Sequence, residues 1–328
     1  MTNYWFISTK YRQGSRLILC TFALAFVVIL LGAYTRLTNA GLSCPDWPNC
    51  YGYITAPHTA TQLEGAAARF PGSAVDVKKA WTEMTHRYFA GTEGILILIL
   101  SCSILFGRKA KNLKTVTIAT LLIVLLCVQV MLGMWTVTEK LKPVIVLLHL
   151  VTGLSILSLL WWAYLDLNVH QEIYSSRIYA PFPPFLWLAL LIVAGQIILG
   201  GWVSTHYAGL ACIDFPYCNG TLLPELKFNE FHTNLITIHM AHRIGALITA
   251  IYLSLLAIKL AFNPYFRSIA ILIILLLSLQ LTLGFLNIVW LLPVWIALAH
   301  HCVAILLLLT ILTAIIKTSH ITGNNYGF

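Results

Sequence analysis

Eleven histidines occur in the chain, and four of them, His86, His149, His242 and His300, lie in or at the edge of long apolar runs. An ionisable group inside such a run is costly unless it has a partner or a task. The four form two pairs, His86 with His149 and His242 with His300, each pair straddling one intervening apolar run. Zinc would normally recruit Cys, Asp or Glu to complete a tetrahedral set, and two imidazoles per pair fall short of that. A haem needs one or two axial imidazoles and an apolar slot between helices, so haem ligation is the chemistry this pattern points to. His239, one turn before His242, and His301, beside His300, would serve equally well by residue type; the internal repeat described below selects His242 and His300. His58, His170, His206, His232 and His320 fall in loops or at ends and read as solvated.

Glu83 precedes His86 by three residues, where the second pair has His239. Positions i and i+3 share a helix face, so Glu83 is expected about one turn outward of His86, over the edge of a bound haem. A partly desolvated carboxylate there suits general base work; the plainer reading is a residue stabilising a helix N-terminus. Arg87 and Arg243 directly follow the paired histidines. Each is read either as an interfacial arginine snorkelling outward or as the partner of a haem propionate. Cys44 with Cys50, and Cys212 with Cys218, share short Pro-containing loops in which a disulfide is sterically allowed. Cys20, Cys102, Cys127 and Cys302 fall within apolar runs and are expected to pack as small apolar side chains.

The elements that must position these residues follow from composition. The chain has 328 residues, 59% hydrophobic and 9% charged, against about 25% charged in soluble domains. A soluble enzyme is excluded. The formal charge of +9 is scattered between apolar runs, unlike the clustered stripe of a nucleic-acid binder, so nucleic acid is not an expected partner and membrane lipid is. Eight runs long enough to cross a bilayer begin near Leu17, His86, Val116, Val144, Phe185, Ile236, Ile269 and Val294. The stretch from Leu31-Gly32 through Ala40-Gly41-Leu42-x-Cys44-x-Asp46-x-Pro48-x-Cys50-x-Gly52 recurs as Leu199-Gly200 through Ala208-Gly209-Leu210-x-Cys212-x-Asp214-x-Pro216-x-Cys218-x-Gly220, His86-Arg87 recurs as His242-Arg243, and Gln129, Gly133 and His149 recur as Gln280, Gly284 and His300. The expected fold is therefore an all-α polytopic membrane protein, eight transmembrane helices arranged as two pseudo-symmetric four-helix bundles related by an axis along the membrane normal. Lys and Arg, densest from Arg108 to Lys114, place both termini on the cytoplasmic side and the cysteine loops outside.

Taken together, the paired histidines in the even-numbered spans, Glu83-x-x-His86-Arg87 and the paired loop cysteines resemble the haem A synthase family, and the resemblance covers essentially the whole chain. It implies an oxidoreductase of the cell membrane that oxidises the C8 methyl of haem O to a formyl group, making haem A for terminal oxidases. It also implies a substrate haem between His86 and His149, with Arg87 at hand, a permanent haem b on His242 and His300, with Arg243, and Glu83 as the catalytic residue. A haem O synthase and an electron donor are the implied partners, and homo-oligomerisation is left open. The expected divisions are 1–16, a cytoplasmic segment; 17–165, the substrate unit; 166–184, a cytoplasmic linker; 185–316, the haem b unit; and 317–328, a cytoplasmic tail. The rival reading is a di-haem b-type membrane cytochrome relaying electrons to or from a quinone, which accounts for the histidines but not for Glu83 or the cysteine loops.

Overall fold

The computed structural model describes residues 2–107, 113–169 and 183–323. The charge cluster at 108–111, Arg177 and His170 lie outside them. The described residues form α1 (Thr2–Leu37), α2 (Ala60–Arg69), α3 (Val77–Leu105), α4 (Leu113–Thr138), α5 (Pro143–Val169), α6 (Pro183–Thr205), α7 (Leu235–Ala261), α8 (Arg267–Val289) and α9 (Val294–Gly323), and no strand. All but α2 contain a segment long and apolar enough to cross a membrane, which bears out the eight expected spans and the all-α polytopic class. Continuous apolar sequence explains these helices, because in lipid every backbone N–H and C=O must be satisfied within the segment. Their ends are set locally. Asp76 caps α3 by accepting from the Lys79 N–H, Asn234 caps α7 by accepting from Thr237 N–H, and Pro143 and Pro183 open α5 and α6 with a ring that fixes φ near its helical value.

The start of α3 differs from expectation. Its apolar run opens at His86, yet the helix begins nine residues earlier at Val77, so His86 is its tenth residue and not in its first turns. The extra turns, Val77 to Thr85, are polar on one side and bury Ala80, Glu83 and Met84 on the other, an amphipathic pattern that hydropathy alone does not register. The short helix α2 also went unanticipated; Thr59 and Gln62 close a reciprocal capping box at its start.

The chain divides into two compact units, Met1–Tyr164 and Leu165–Phe328. In the first, α1 packs on α3 and α3 on α4, and Gly153 of α5 brings that helix against Gln129 of α4 and Ile29 of α1. In the second, α6 packs on α7 and α9, and α8 on α7 and α9. Within each unit the turn between the last two helices carries two successive left-handed residues, Lys140 and Leu141 or Leu291 and Leu292. Such backbone is unfavourable for residues with a Cβ. It is held because Leu141 and Leu292 lie close over Gly41 and Gly209, which accounts for the glycine in the repeated Ala-Gly-Leu triplet.

Of the free cysteines, Cys20, Cys102 and Cys127 lie on exposed helix surfaces and Cys302 is half-buried. All four lie on the spanning helices, as expected; helix rotation, which hydropathy does not fix, turns the first three to the outer surface of their unit.

Candidate functional site

Two cysteine loops share one construction. Cys44 and Cys50 are bridged, as are Cys212 and Cys218, with Cα atoms 4.6 Å apart in each. The second cysteine of each opens a two-residue turn closed by paired backbone bonds, Cys50 with Tyr53 and Cys218 with Thr221. Both turn residues have positive φ, at +55° and +77° for Tyr51 and Gly52 and +54° and +83° for Asn219 and Gly220. Such turns favour glycine or asparagine; the second loop supplies both, whereas the first has Tyr51 at its leading position. The aspartate of the motif supplies the remaining acceptors. Asp46 takes the N–H groups of Tyr51 and Gly52 at 2.6 and 2.8 Å, and Asp214 those of Asn219 and Gly220 at 2.7 and 2.8 Å. These bonds hold the Asp214 carboxyl below the usual carboxylate range, and the charge of Arg243 adds to the effect. The spacing Cys-x-Asp-x-Pro-x-Cys-x-Gly is thus a loop specification: a bridge, a turn and the acceptor that satisfies it.

Each loop is anchored to the helix that carries a paired histidine. In the first unit Glu83, only 4% exposed, accepts from the Cys44 N–H through Oε2 at 2.9 Å and from Arg87 Nη2 through Oε1 at 2.6 Å. Arg87 Nη1 donates to the carbonyls of Asp46, Pro48 and Asn49 at 3.0, 3.1 and 2.7 Å. The partners of Arg87 are therefore the loop backbone and Glu83. Glu83 is the seventh residue of α3, beyond the turn whose free N–H groups an acid could cap. In the second unit His239 Nδ1 accepts from the Cys212 N–H at 3.3 Å, and Arg243 donates to the carbonyls of Tyr217 and Cys212 at 2.9 and 2.8 Å. Arg243 Nε is buried with no protein partner. Met84 and Met240 pack beneath the respective disulfides.

The four paired histidines sit against glycines of a neighbouring helix. A Cβ added at Gly32, Gly133, Gly200 or Gly284 would stand 3.0, 3.2, 3.1 or 3.2 Å from Cε1 of His86, His149, His242 or His300 respectively, closer than ordinary van der Waals contact. His86 and His149 lie within electrostatic range of each other, as do His242 and His300. Nδ1 of His86, His149 and His300 is buried with no protein partner. The opposite nitrogen of His300 accepts from Gln280 at 3.1 Å, and that of His149 lies 3.5 Å from the Gln129 amide. His242 departs from this: its Nδ1 accepts from Gln196 Nε2 at 3.0 Å, and the same amide group donates to the His242 carbonyl. Partners on one ring nitrogen fix the orientation of these imidazoles, as such contacts do around a ligating histidine. Among the described residues no cluster of three or more His, Cys, Asp and Glu is arranged around a common metal position. Two imidazoles per unit fit a planar macrocycle that brings four donors of its own.

The candidate residues read from the sequence are thus gathered into two sets, Glu83, Arg87, His86, His149 and the Cys44–Cys50 loop, and Arg243, His242, His300 and the Cys212–Cys218 loop. Gln196 was missed because the repeat comparison discards unmatched positions; it stands where the first unit has Val28, whose backbone is a hydrogen-bond partner of His86. Of the other histidines, His206 lies against Trp202 with the two rings tilted at 46° and bonds its carbonyl, and His58 bonds the Ala56 carbonyl. His301 is half-buried, with its Nε2 atom buried and lacking a partner.

An eight-span helical protein with two imidazole pairs under bridged loops is a polytopic membrane protein of the haem-handling kind. Residues 15–312 match the family of cytochrome oxidase assembly proteins, and the chain belongs to that family. It is 40% identical over 319 residues to heme A synthase of Shewanella oneidensis, covering 92% of this chain and 95% of that one. It is also similar to heme A synthases of Chelativorans sp., at 27% identity over 88% of this chain and 86% of the relative, and Agrobacterium fabrum, at 29% over 86% and 84%.

Proposed function

We propose that the chain is a haem A synthase, an oxidoreductase converting the C8 methyl of haem O to a formyl group. The observation that carries this reading is the seating of four half-buried imidazoles in two pairs against glycine, three of them with an Nδ1 that has no protein partner. The names of its relatives give the reaction. Haem O is read as the substrate held between His86 and His149, and haem b as the resident cofactor of His242 and His300, where it would supply one-electron transfer. The difference between the halves supports this division of labour. The first unit has a carboxylate, Glu83, where the second has His239, and the second has Gln196, which fixes the ring of His242, where the first has Val28. A fixed ligand suits a permanent cofactor; an acid beside the loop suits chemistry.

Converting a methyl to a formyl group strips hydrogen from carbon and adds an oxygen atom, with an external oxidant taking the electrons; a base at the edge of the substrate can take hydrogen that leaves as a proton. Glu83 is that base in this reading, held by Arg87 and the Cys44 N–H. Arg243, with its open Nε, offers an N–H to a propionate, whereas Arg87 acts by holding the loop over the site. The protein is placed in the cell membrane with both termini cytoplasmic and the disulfide loops outside, working with a haem O synthase and an electron donor.

Glu83→Gln keeps size and hydrogen bonding while removing the charge. The variant is expected to fold with normal haem b and to accumulate haem O or a partly oxidised haem, measured by pigment extraction and chromatography. Wild-type haem A yield would return Glu83 to a purely structural role. His242→Ala or His300→Ala is expected to remove most of the b-type absorbance of the purified protein; a full haem complement in both would refute the cofactor assignment.

A further inference from the structure

The mechanism above leaves one acid of α3 unused. Glu93 is partly buried within the span and, among the described residues, has no hydrogen-bond or ion-pair partner. It follows His86 by seven residues, about 20° short of two full turns, and so lies on the same stripe about 10 Å farther from the disulfide loop. Ile97 and Leu100, 0% and 3% exposed, continue that stripe, whereas Ile95, Leu98 and Ile99, 59%, 44% and 52% exposed, form the opposite face. Glu93 thus shares the inward face with His86. A carboxyl at such a depth is costly without a polar partner. In the second unit the matching position is Thr249, whose hydroxyl is bonded to the Gly245 carbonyl of its own helix. The acid, like Glu83, belongs to the first unit alone.

Haem O and haem b differ at one ring position: haem O carries a farnesylated hydroxyalkyl chain where haem b has a vinyl group. That substituent is on the edge opposite the propionates. With the propionates toward the arginine-bound loop, it lies on the Glu93 side of the iron. We propose that Glu93 hydrogen-bonds the hydroxyl of the hydroxyalkyl chain and is the residue by which the first unit selects haem O over haem b. This rests on the reading that haem O is the substrate at His86.

The test titrates purified full-length protein, with its resident haem in place, separately with haem O and with haem b, following the Soret band. Glu93→Leu is expected to weaken haem O binding about tenfold, the worth of one good hydrogen bond to a buried group, and to leave haem b affinity unchanged. Glu93→Gln, which still hydrogen-bonds, is expected to retain most of the preference. Equal losses for both haems, or no change in either, would overturn the proposal. The resident haem's absorbance reports folding; should Glu93→Leu lose it, Glu93→Thr, with the residue found at 249, is read in the same way. His86→Ala separates the two levels. If it leaves haem O binding intact, the substrate-site reading falls and the selectivity proposal with it; if it abolishes binding while Glu93 variants keep the wild-type preference, only the proposal falls.

Discussion

Four close contacts between glycine and imidazole decide where the rings can stand. Each is made by a residue type that leaves no room to spare: alanine at Gly200 would bring a methyl to 3.1 Å from His242 Cε1. Gly200→Ala is therefore expected to displace the ring and cost about 1–3 kcal/mol through overpacking. On the same helix Gly195 has open space around it, so Gly195→Ala should be neutral or stabilising by up to about 1 kcal/mol. Thermal unfolding together with haem content checks both, and a normal haem spectrum in Gly200→Ala would show that the seat is not needed. The repeat made Gly32, Gly133, Gly200 and Gly284 visible in sequence, as it did the histidines, Gln129 and Gln280. It could not expose Gln196 or Glu93, since each differs from its counterpart, Val28 or Thr249, and a comparison built on identity passes over the positions where two halves diverge in role.

Among the elements, the cysteine loops were legible as bridges from spacing, but their attachment was not. Glu83, Arg87, His239 and Arg243 reach backbone atoms of residues 26 to 41 positions away in sequence, and periodicity carries no trace of such contacts. The early start of α3 escaped for a related reason: its first turns are buried by a loop and not by lipid, so they carry charge. Reducing the Cys212–Cys218 bridge frees a loop short enough that the chain-entropy gain is about 2 kcal/mol, and faster amide exchange at Cys212, Asn219 and Gly220 is the expected result. Acid should loosen the same turn. The Asp214 carboxyl is depressed in the folded loop, so its contribution is present above the unfolded value and lost as pH falls through the folded one. Exchange at Asn219 and Gly220 should therefore rise only below the ordinary aspartate range, and Asp214→Asn should abolish that pH dependence. A rise already complete near neutral pH would contradict it.

For the whole molecule, composition and hydropathy were sufficient to give eight spans, because the bilayer's thickness sets a length that few soluble helices share. Sidedness rests on Lys and Arg counts alone. A reporter that folds only in an oxidising compartment is expected to be active when fused after Gly72 or Leu223 and inactive after Asn263; the reverse pattern would invert the proposed orientation. The anchoring of the cysteine loops has a consequence for how such a protein can change over time. Glu83 and Arg87 hold the first loop by its peptide groups, through the Cys44 N–H and the carbonyls of Asp46, Pro48 and Asn49, while the side chains of Pro45, Trp47 and Asn49, at the unspecified positions of the motif, are exposed. A grip on the main chain does not inspect what the side chains are. Those outward positions can be rewritten, to suit a new delivery partner or membrane surface, without disturbing the acid and arginine beneath them.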